Sequence, residues 1–279
     1  MASSVSGKIA FITGGASGIG AALATKLVDG GAEVWIADRQ IGAAQELAQR
    51  LNSGRAKAHA IELDVRSYPS FESAVAEAVR QSGRIDYLFN NAGIGVGGEI
   101  DSYTLDDWND VFDVNLRGVV HGIQAVYPIM IRQHSGHIVN TASMAGLVTT
   151  VGQASYTATK HAVVAISKTL RLEAERHGVQ VSVFCPGAIR TPALTGGKFG
   201  RIPGISDEEL LKSWEQLRPM APEEFAERAL RAVLRGDAII VVPASWKAWW
   251  YLERLSPALS MRFAKVMLKR IRELKSTTA

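Results

Sequence analysis

Cysteine is almost absent from the 279-residue chain. The single one, Cys185, excludes an intrachain disulfide, and its place in the apolar run VQVSVFCPG reads as a buried structural thiol rather than a nucleophile. Long apolar stretches are missing too. No run of roughly 18 apolar residues is present to cross a bilayer, and the opening MASSVSGKIAFITGG has no basic stretch leading into a long apolar core. These absences predict a soluble cytoplasmic protein. The six histidines (His59, His121, His134, His137, His161 and His177) show no zinc-finger or metalloprotease spacing, so no metal is expected. No aromatic RNA-binding motif or helix-turn-helix signal accompanies the net charge of +4, so no nucleic-acid partner is expected either. TASMAG is not a G-x-S-x-G elbow, which removes the hydrolase reading of Ser143.

The charge that is present is unevenly spread. Residues 244–279 hold eight cations against two acids, so this stretch is +6 and the remainder −2. The basic character belongs to the tail.

What fills the rest is alternation. Short β-branched runs (KIAFITG, EVWIAD, KAHAIELD, IDYLFNNAG, GHIVNTAS, VQVSVFCPG, AIIVV) are separated by amphipathic stretches. Strands joined by helices imply right-handed crossovers and a parallel sheet covered on both faces. The expectation is a doubly wound α/β, Rossmann-like unit of about seven strands over residues 1–243, followed by a helical extension over 244–279.

TGGASGIG follows the first strand and opens the first helix. Gly14, Gly18 and Gly20 permit a tight turn and close approach of backbone to a pyrophosphate, whose charge suits the amides at the helix start. Eighteen residues after Gly20, at the end of the second strand, Asp38 can accept hydrogen bonds from both ribose hydroxyls of an adenosine and would repel a 2′-phosphate. Arg39 beside it could instead clamp that phosphate. Position 17, just before the second glycine, is Ser17, so a further basic clamp is missing. NAD is therefore favoured, with NADP the alternative.

Tyr156 and Lys160, in YTATK, stand four positions apart in a helical stretch, which stacks a phenol and an ammonium on one face. Taken with TGGASGIG, LDV (63–65), NNAG (90–93), Asn115, Ser143 and the PG pair Pro186–Gly187, the order of motifs resembles the short-chain dehydrogenase/reductase family over nearly all of residues 7–243. The resemblance implies a compact, single-domain, nicotinamide-dependent oxidoreductase that assembles as a homodimer or homotetramer. It makes the cradle from Gly14 through Ser17, Gly18, Ile19 and Gly20 the cofactor site, and Asp64 and Val65 the adenine contacts. Asn91, Ala92 and Gly93 become the floor beneath the cofactor, and Ile189 and Thr191, after Pro186 and Gly187, the holders of the nicotinamide amide. Ser143 is expected to orient substrate, Tyr156 to act as acid and base, and Lys160 to bind ribose. Asn115 is expected to hold a relay water through a local helix distortion.

Oxidising an alcohol by hydride transfer requires a base on the hydroxyl oxygen. Free tyrosine, with a pKa of about 10, is a poor one. A cation nearby can lower that value by roughly 1 to 3, which is the second role expected of Lys160. Met144, with Leu147, Val151, Ile94 and Val96, lies beside these motifs and is read as substrate-facing, which points to a hydrophobic secondary alcohol or ketone. Residues 187–222, long and glycine-punctuated, are expected to close over it.

In the extension, Pro257 divides two helices. Leu259, Phe263, Val266, Met267, Ile271 and Leu274 share one stripe, with most of the cations elsewhere. A dimer arm, a lid, or peripheral membrane contact with Trp246, Trp249 and Trp250 at the headgroups are the readings open to it. Two rivals to the enzyme reading stand beside it, a dinucleotide-binding sensor or scaffold without turnover and a lipid-surface protein acting through its basic tail.

Overall fold

The structure, a computed structural model, describes residues 4–52, 57–192 and 207–277. Seven strands form one parallel sheet: β1 (Ile9–Thr13), β2 (Glu33–Asp38), β3 (Ala58–Glu62), β4 (Tyr87–Asn90), β5 (Gly136–Thr141), β6 (Val179–Pro186) and β7 (Ile239–Val242). Their order is β3-β2-β1-β4-β5-β6-β7. All five residues of β1 are buried, which is the behaviour of a central strand covered by helices on both faces.

The helices are α1 (Gly18–Asp29), α2 (Ile41–Leu51), α3 (Tyr68–Ser82), α4 (Leu105–Phe112), α5 (Gly118–Gln133), α6 (Ala154–Ala174), α7 (Asp207–Glu215), α8 (Pro222–Leu234), α9 (Lys247–Leu255) and α10 (Pro257–Thr277). On one face of the sheet, α1, α2 and α8 bury Leu23, Leu27, Leu47, Phe225 and Val233 against Ile12, Ile36 and Phe184. On the other, α3, α5 and α6 bury Phe71, Val126, Met130 and Val163 against Phe11, Leu88 and Ile138.

Local signals set the ends of these elements. Ser67 caps α3 by accepting from the Ser70 amide at 3.3 Å, and Gly83 ends it with a φ of 80°. Thr104 and Asp107 cap α4 reciprocally: each side chain accepts from the other's amide, at 3.2 and 3.0 Å. Between α4 and α5 the chain passes through a π turn, Asp113–Arg117, the helix distortion expected around Asn115.

The strand order reverses between β1 and β4, so the connections leaving these two strands part to opposite sides and open a crevice at their carboxyl ends. The glycine turn after β1 and NNAG after β4 both fall there. Beyond β7, α9 and α10 form the expected extension, divided at Pro257. Trp246 and Trp250 pack against the main core instead of standing out for a headgroup layer; Trp249 is exposed. The side chains of Ile271 and Leu274 lie outside the described residues.

Candidate active site

The glycine turn is built by close approach. Gly14 and Gly18 take φ values of 62° and 53°, which non-glycine residues adopt at a cost. A methyl on Gly20 would stand 2.1 Å from the Gly14 carbonyl oxygen, so α1 starts in direct contact with the turn. Ser17 precedes α1 in an extended conformation and makes no side-chain cap, and the first turn holds no acid. The leading amides of α1 are thus left for an anion. Thr191 reaches this point from the segment after β6: its methyl group lies 3.1 Å from where a Cβ on Gly18 would be.

Asp38 ends β2 and accepts from the amides of Ala16 at 3.1 Å and Gln40 at 3.0 Å, which fixes its carboxylate beside the turn. Arg39 is exposed. Asp64 is engaged by Arg66, whose Nη2 lies 2.6 Å from Oδ2, and that guanidinium holds the Asp64 carboxyl below its usual pKa. Val65 is buried beneath Gly118, and its carbonyl lies 2.8 Å from Nδ1 of His121.

On the floor, Asn91 donates through Nδ2 to the carbonyls of Thr13 and Gly14, both at 3.2 Å. The hydroxyl of Thr13 in turn accepts from the amides of Asn91 and Ala92, at 3.0 and 3.1 Å. Thr13 therefore ties the ends of β1 and β4 together, a role not assigned from the sequence although the residue opens the glycine motif. A methyl on Gly93 would come within 3.4 Å of both Asn115 Oδ1 and Lys160 Nζ.

Ser143, Tyr156, Lys160 and Asn115 converge at the carboxyl end of β5 and on α6. Ser143 accepts from the Ala145 amide at 3.1 Å, and its hydroxyl stands near enough to the Tyr156 phenol to favour the phenolate. Lys160 is buried; its Nζ donates to the Thr141 carbonyl at 2.8 Å and lies 5.3 Å from the centroid of the Tyr156 ring. Thr141, the anchor of that ammonium, is a second residue the sequence reading does not assign.

The electrostatics differ from the sequence expectation in one respect. Burial raises the Tyr156 pKa above its ordinary value, and the Ser143 hydroxyl works against that rise. Burial likewise pulls Lys160 down to about 8. The expected lowering of the phenol by Lys160 is not found in the free protein. Removal of water disfavours phenolate and ammonium alike, and the ammonium is held over the ring by Thr141. Cys185 is buried beside this pair, and burial pushes its thiol up to about 12.

Other expected site residues sit in the core. Met144, read as substrate-facing, is 3% exposed and belongs to the cluster under α6, because the turn after Ser143 points it inward. Ile189 is buried on the α8 side, where its neighbours Ala188 and Arg190 pair with Met220 through backbone hydrogen bonds of 3.0 and 2.9 Å. Gly187, after Pro186, donates to the Val242 carbonyl at 2.9 Å and lies under the Trp246 indole. Of the segment expected to close over substrate, residues 193–206 lie outside the described residues and α7 follows them.

Comparison with known proteins agrees with this geometry. A 2,5-dichloro-2,5-cyclohexadiene-1,4-diol dehydrogenase of Sphingobium indicum is 38% identical over 192 residues, 69% of this chain and 77% of that protein. The trans-4-hydroxycyclohexanecarboxylate dehydrogenase of Sinomonas cyclohexanicum is 35% identical over 228 residues, 79% of this chain and 88% of that protein. A short-chain dehydrogenase/reductase from Burkholderia phymatum, crystallised in complex with NAD, shares 30% identity and superposes with a TM-score of 0.82 over 92% of this chain and 96% of that one. The short chain dehydrogenase family profile matches residues 8–197. A seven-stranded parallel sheet with this glycine turn, this serine–tyrosine–lysine cluster and these relatives makes the chain an oxidoreductase that belongs to the short-chain dehydrogenase/reductase family.

Proposed function

We propose that the protein interconverts a secondary alcohol and a ketone with NAD(H), using Tyr156 as general acid and base. The observation that carries this reading is the gathering of Ser143, Tyr156 and Lys160: a serine hydroxyl near a half-buried phenol, with a buried ammonium over the phenol's ring.

The crevice fits a nicotinamide dinucleotide, since the uncapped start of α1 and the positive-φ glycines leave backbone amides for a pyrophosphate. Gly14, Ser17, Gly18, Ile19 and Gly20 would hold the pyrophosphate, Asp38 the adenosine ribose, and Asn91, Ala92, Gly93 and Thr191 the ring end. Asp64, Val65, Pro186, Gly187 and Ile189 shape the walls. When bound, the cofactor supplies hydride acceptance or donation.

This chain's residues handle the proton. Ser143 holds the reacting oxygen, and Tyr156 takes its proton during oxidation and returns it during reduction. Lys160 adds positive charge and a donor for the ribose, and Asn115 keeps the adjoining floor in place. The fixed Asp38 carboxylate supports NAD over NADP, because a 2′-phosphate would lie against it.

The two dehydrogenase relatives are named for ring alcohols, which supports an alicyclic substrate. Exposed Val120 on α5 and Leu172 on α6, with the apolar depression lined by Ile123, Ile166 and Leu170, support assembly as a homodimer or homotetramer.

The test is a screen of cyclic secondary alcohols with NAD at alkaline pH, read by absorbance of the reduced cofactor, on wild type and Tyr156→Phe. We expect turnover only in wild type while the variant still binds NAD. Near-normal turnover by the variant refutes the assignment, and a higher specific rate with NADP refutes the Asp38 reading.

A further inference from the structure

The helices beyond β7 meet the catalytic unit on one side and carry a surface that catalysis leaves unexplained on the other. Inward, the Trp246 indole lies over Gly187, so close that a methyl there would stand 2.5 Å from its nitrogen. Glu253 accepts from the amide and hydroxyl of Thr149, at 3.4 and 3.5 Å, and Arg272 pairs with Glu99 at 2.6 Å. Thr149 lies between Ser143 and Tyr156, and Glu99 lies five residues beyond Ile94. The hairpin of α9 and α10 is thus fastened to both loops that border the site.

Outward, α10 is divided into three flanks. Ser260, Ala264 and Leu268, at four-residue steps, are buried or half-buried and form the flank turned to the protein. Arg262, Lys265 and Lys269, at steps of three and four, form a basic flank. Leu259, Phe263, Val266 and Met267 form an apolar one, each between 40% and 55% exposed. Trp249 of α9, itself exposed, packs edge-on against Phe263 at 5.5 Å and widens that strip. Among the described residues, fourteen large apolar side chains are exposed, and eight of them fall between Trp249 and Met267. Scattered exposure needs no explanation, whereas a concentration of this kind marks a contact surface.

We propose that the α9–α10 hairpin docks the protein on an anionic lipid bilayer, with the apolar flank in the acyl boundary and the basic flank among the headgroups. Charge decides the occupant. The segment from residue 244 carries +6, which an anionic surface complements and a second copy of the same face would repel. The geometry decides the mode: no helix among the described residues is long and apolar enough to cross a membrane. Separate apolar and basic flanks with an aromatic at their edge suit a helix lying in the interfacial plane. Docking this way sets the loops around Thr149 and Glu99 beside the lipid surface.

The inference stands apart from the hydride-transfer reading, because the measurement needs no turnover. Full-length protein is sedimented with vesicles of phosphatidylcholine alone and of phosphatidylcholine mixed with phosphatidylglycerol, at low and high salt. We expect binding to the anionic vesicles at low salt, weakened by salt and at least about tenfold weaker on phosphatidylcholine alone. Phe263→Glu/Met267→Glu and, separately, Arg262→Glu/Lys265→Glu should each reduce that binding about tenfold or more, with the thermal unfolding midpoint and dinucleotide affinity unchanged. Wild-type protein that stays in the supernatant with anionic vesicles overturns the proposal, as does binding of both variants equal to that of the wild type. So does an analytical ultracentrifugation result in which the apolar variant breaks an oligomer, since the face would then be covered by a second copy.

Discussion

Asn115 grips Ile94 by both edges of its carboxamide: Oδ1 accepts from the Ile94 amide and Nδ2 donates to the Ile94 carbonyl, each at 2.8 Å. The same Nδ2 reaches the Thr159 hydroxyl at 3.3 Å, on the helix that carries Tyr156 and Lys160. One fully buried side chain on the π turn therefore ties the loop after β4 to α6. Replacement by alanine leaves two backbone groups without their partner, at a cost of about 1–3 kcal/mol. Asn115→Ala should lower the thermal midpoint by several degrees in scanning fluorimetry; an unchanged midpoint contradicts the clamp.

Gly20 tests the cradle separately from the catalytic cluster. With the Gly14 carbonyl 2.1 Å from a Cβ at position 20, Gly20→Ala must push the turn away from α1. Calorimetric titration should show dinucleotide affinity reduced by about tenfold or more, equivalent to about 1.4 kcal/mol. Wild-type affinity would mean that the turn does not contact the cofactor.

Ser143 opposes the burial-driven rise of the Tyr156 pKa. Removing the hydroxyl should raise that value further, so phenolate appears only at higher pH. In Ser143→Ala, the rising limb of the kcat profile for alcohol oxidation should move to higher pH, in addition to a lower maximum. A lower maximum with the limb unmoved would leave Ser143 a purely orienting group.

His137 governs acid stability. It is buried on β5, its Nε2 lies 2.8 Å from the Ser182 hydroxyl, and burial first, then the Arg171 charge, lowers its pKa to about 4. The unfolded chain takes up this proton near the ordinary value of about 6.5, before the folded one does. The contribution to stability is complete above that value and is lost as pH falls toward 4. From pH 7 to pH 5 the loss is about 2 kcal/mol. Urea unfolding of wild type and His137→Gln at both pH values should show a smaller pH difference in the variant.

The alternation of strands and helices was legible because strands buried on both faces are apolar throughout, as β1 is, and because Gly83, Thr104 and Pro257 mark ends by their own chemistry. The catalytic cluster was legible where spacing alone implies proximity, as for Tyr156 and Lys160 on one helix. Thr13 and Thr141 were not, because a threonine at a strand end looks like any other until the partner strand is known. The tilt of the Tyr156 pKa was missed for a related reason. Lys160 promised a cation, but its burial and its bond to Thr141 are tertiary facts. Likewise, periodicity along the extension could sort α10 into flanks, yet could not tell that Trp246 and Trp250 turn inward.

The pairing of Arg272 with Glu99 joins residues 173 positions apart. At ribosomal speeds of about 5–20 residues per second, roughly 10 to 35 seconds separate their synthesis. A nascent chain can assemble its sheet and bring phenol to ammonium while its entrance is still unwalled. Stalled or truncated products would resemble the finished protein at the centre and differ from it at the rim.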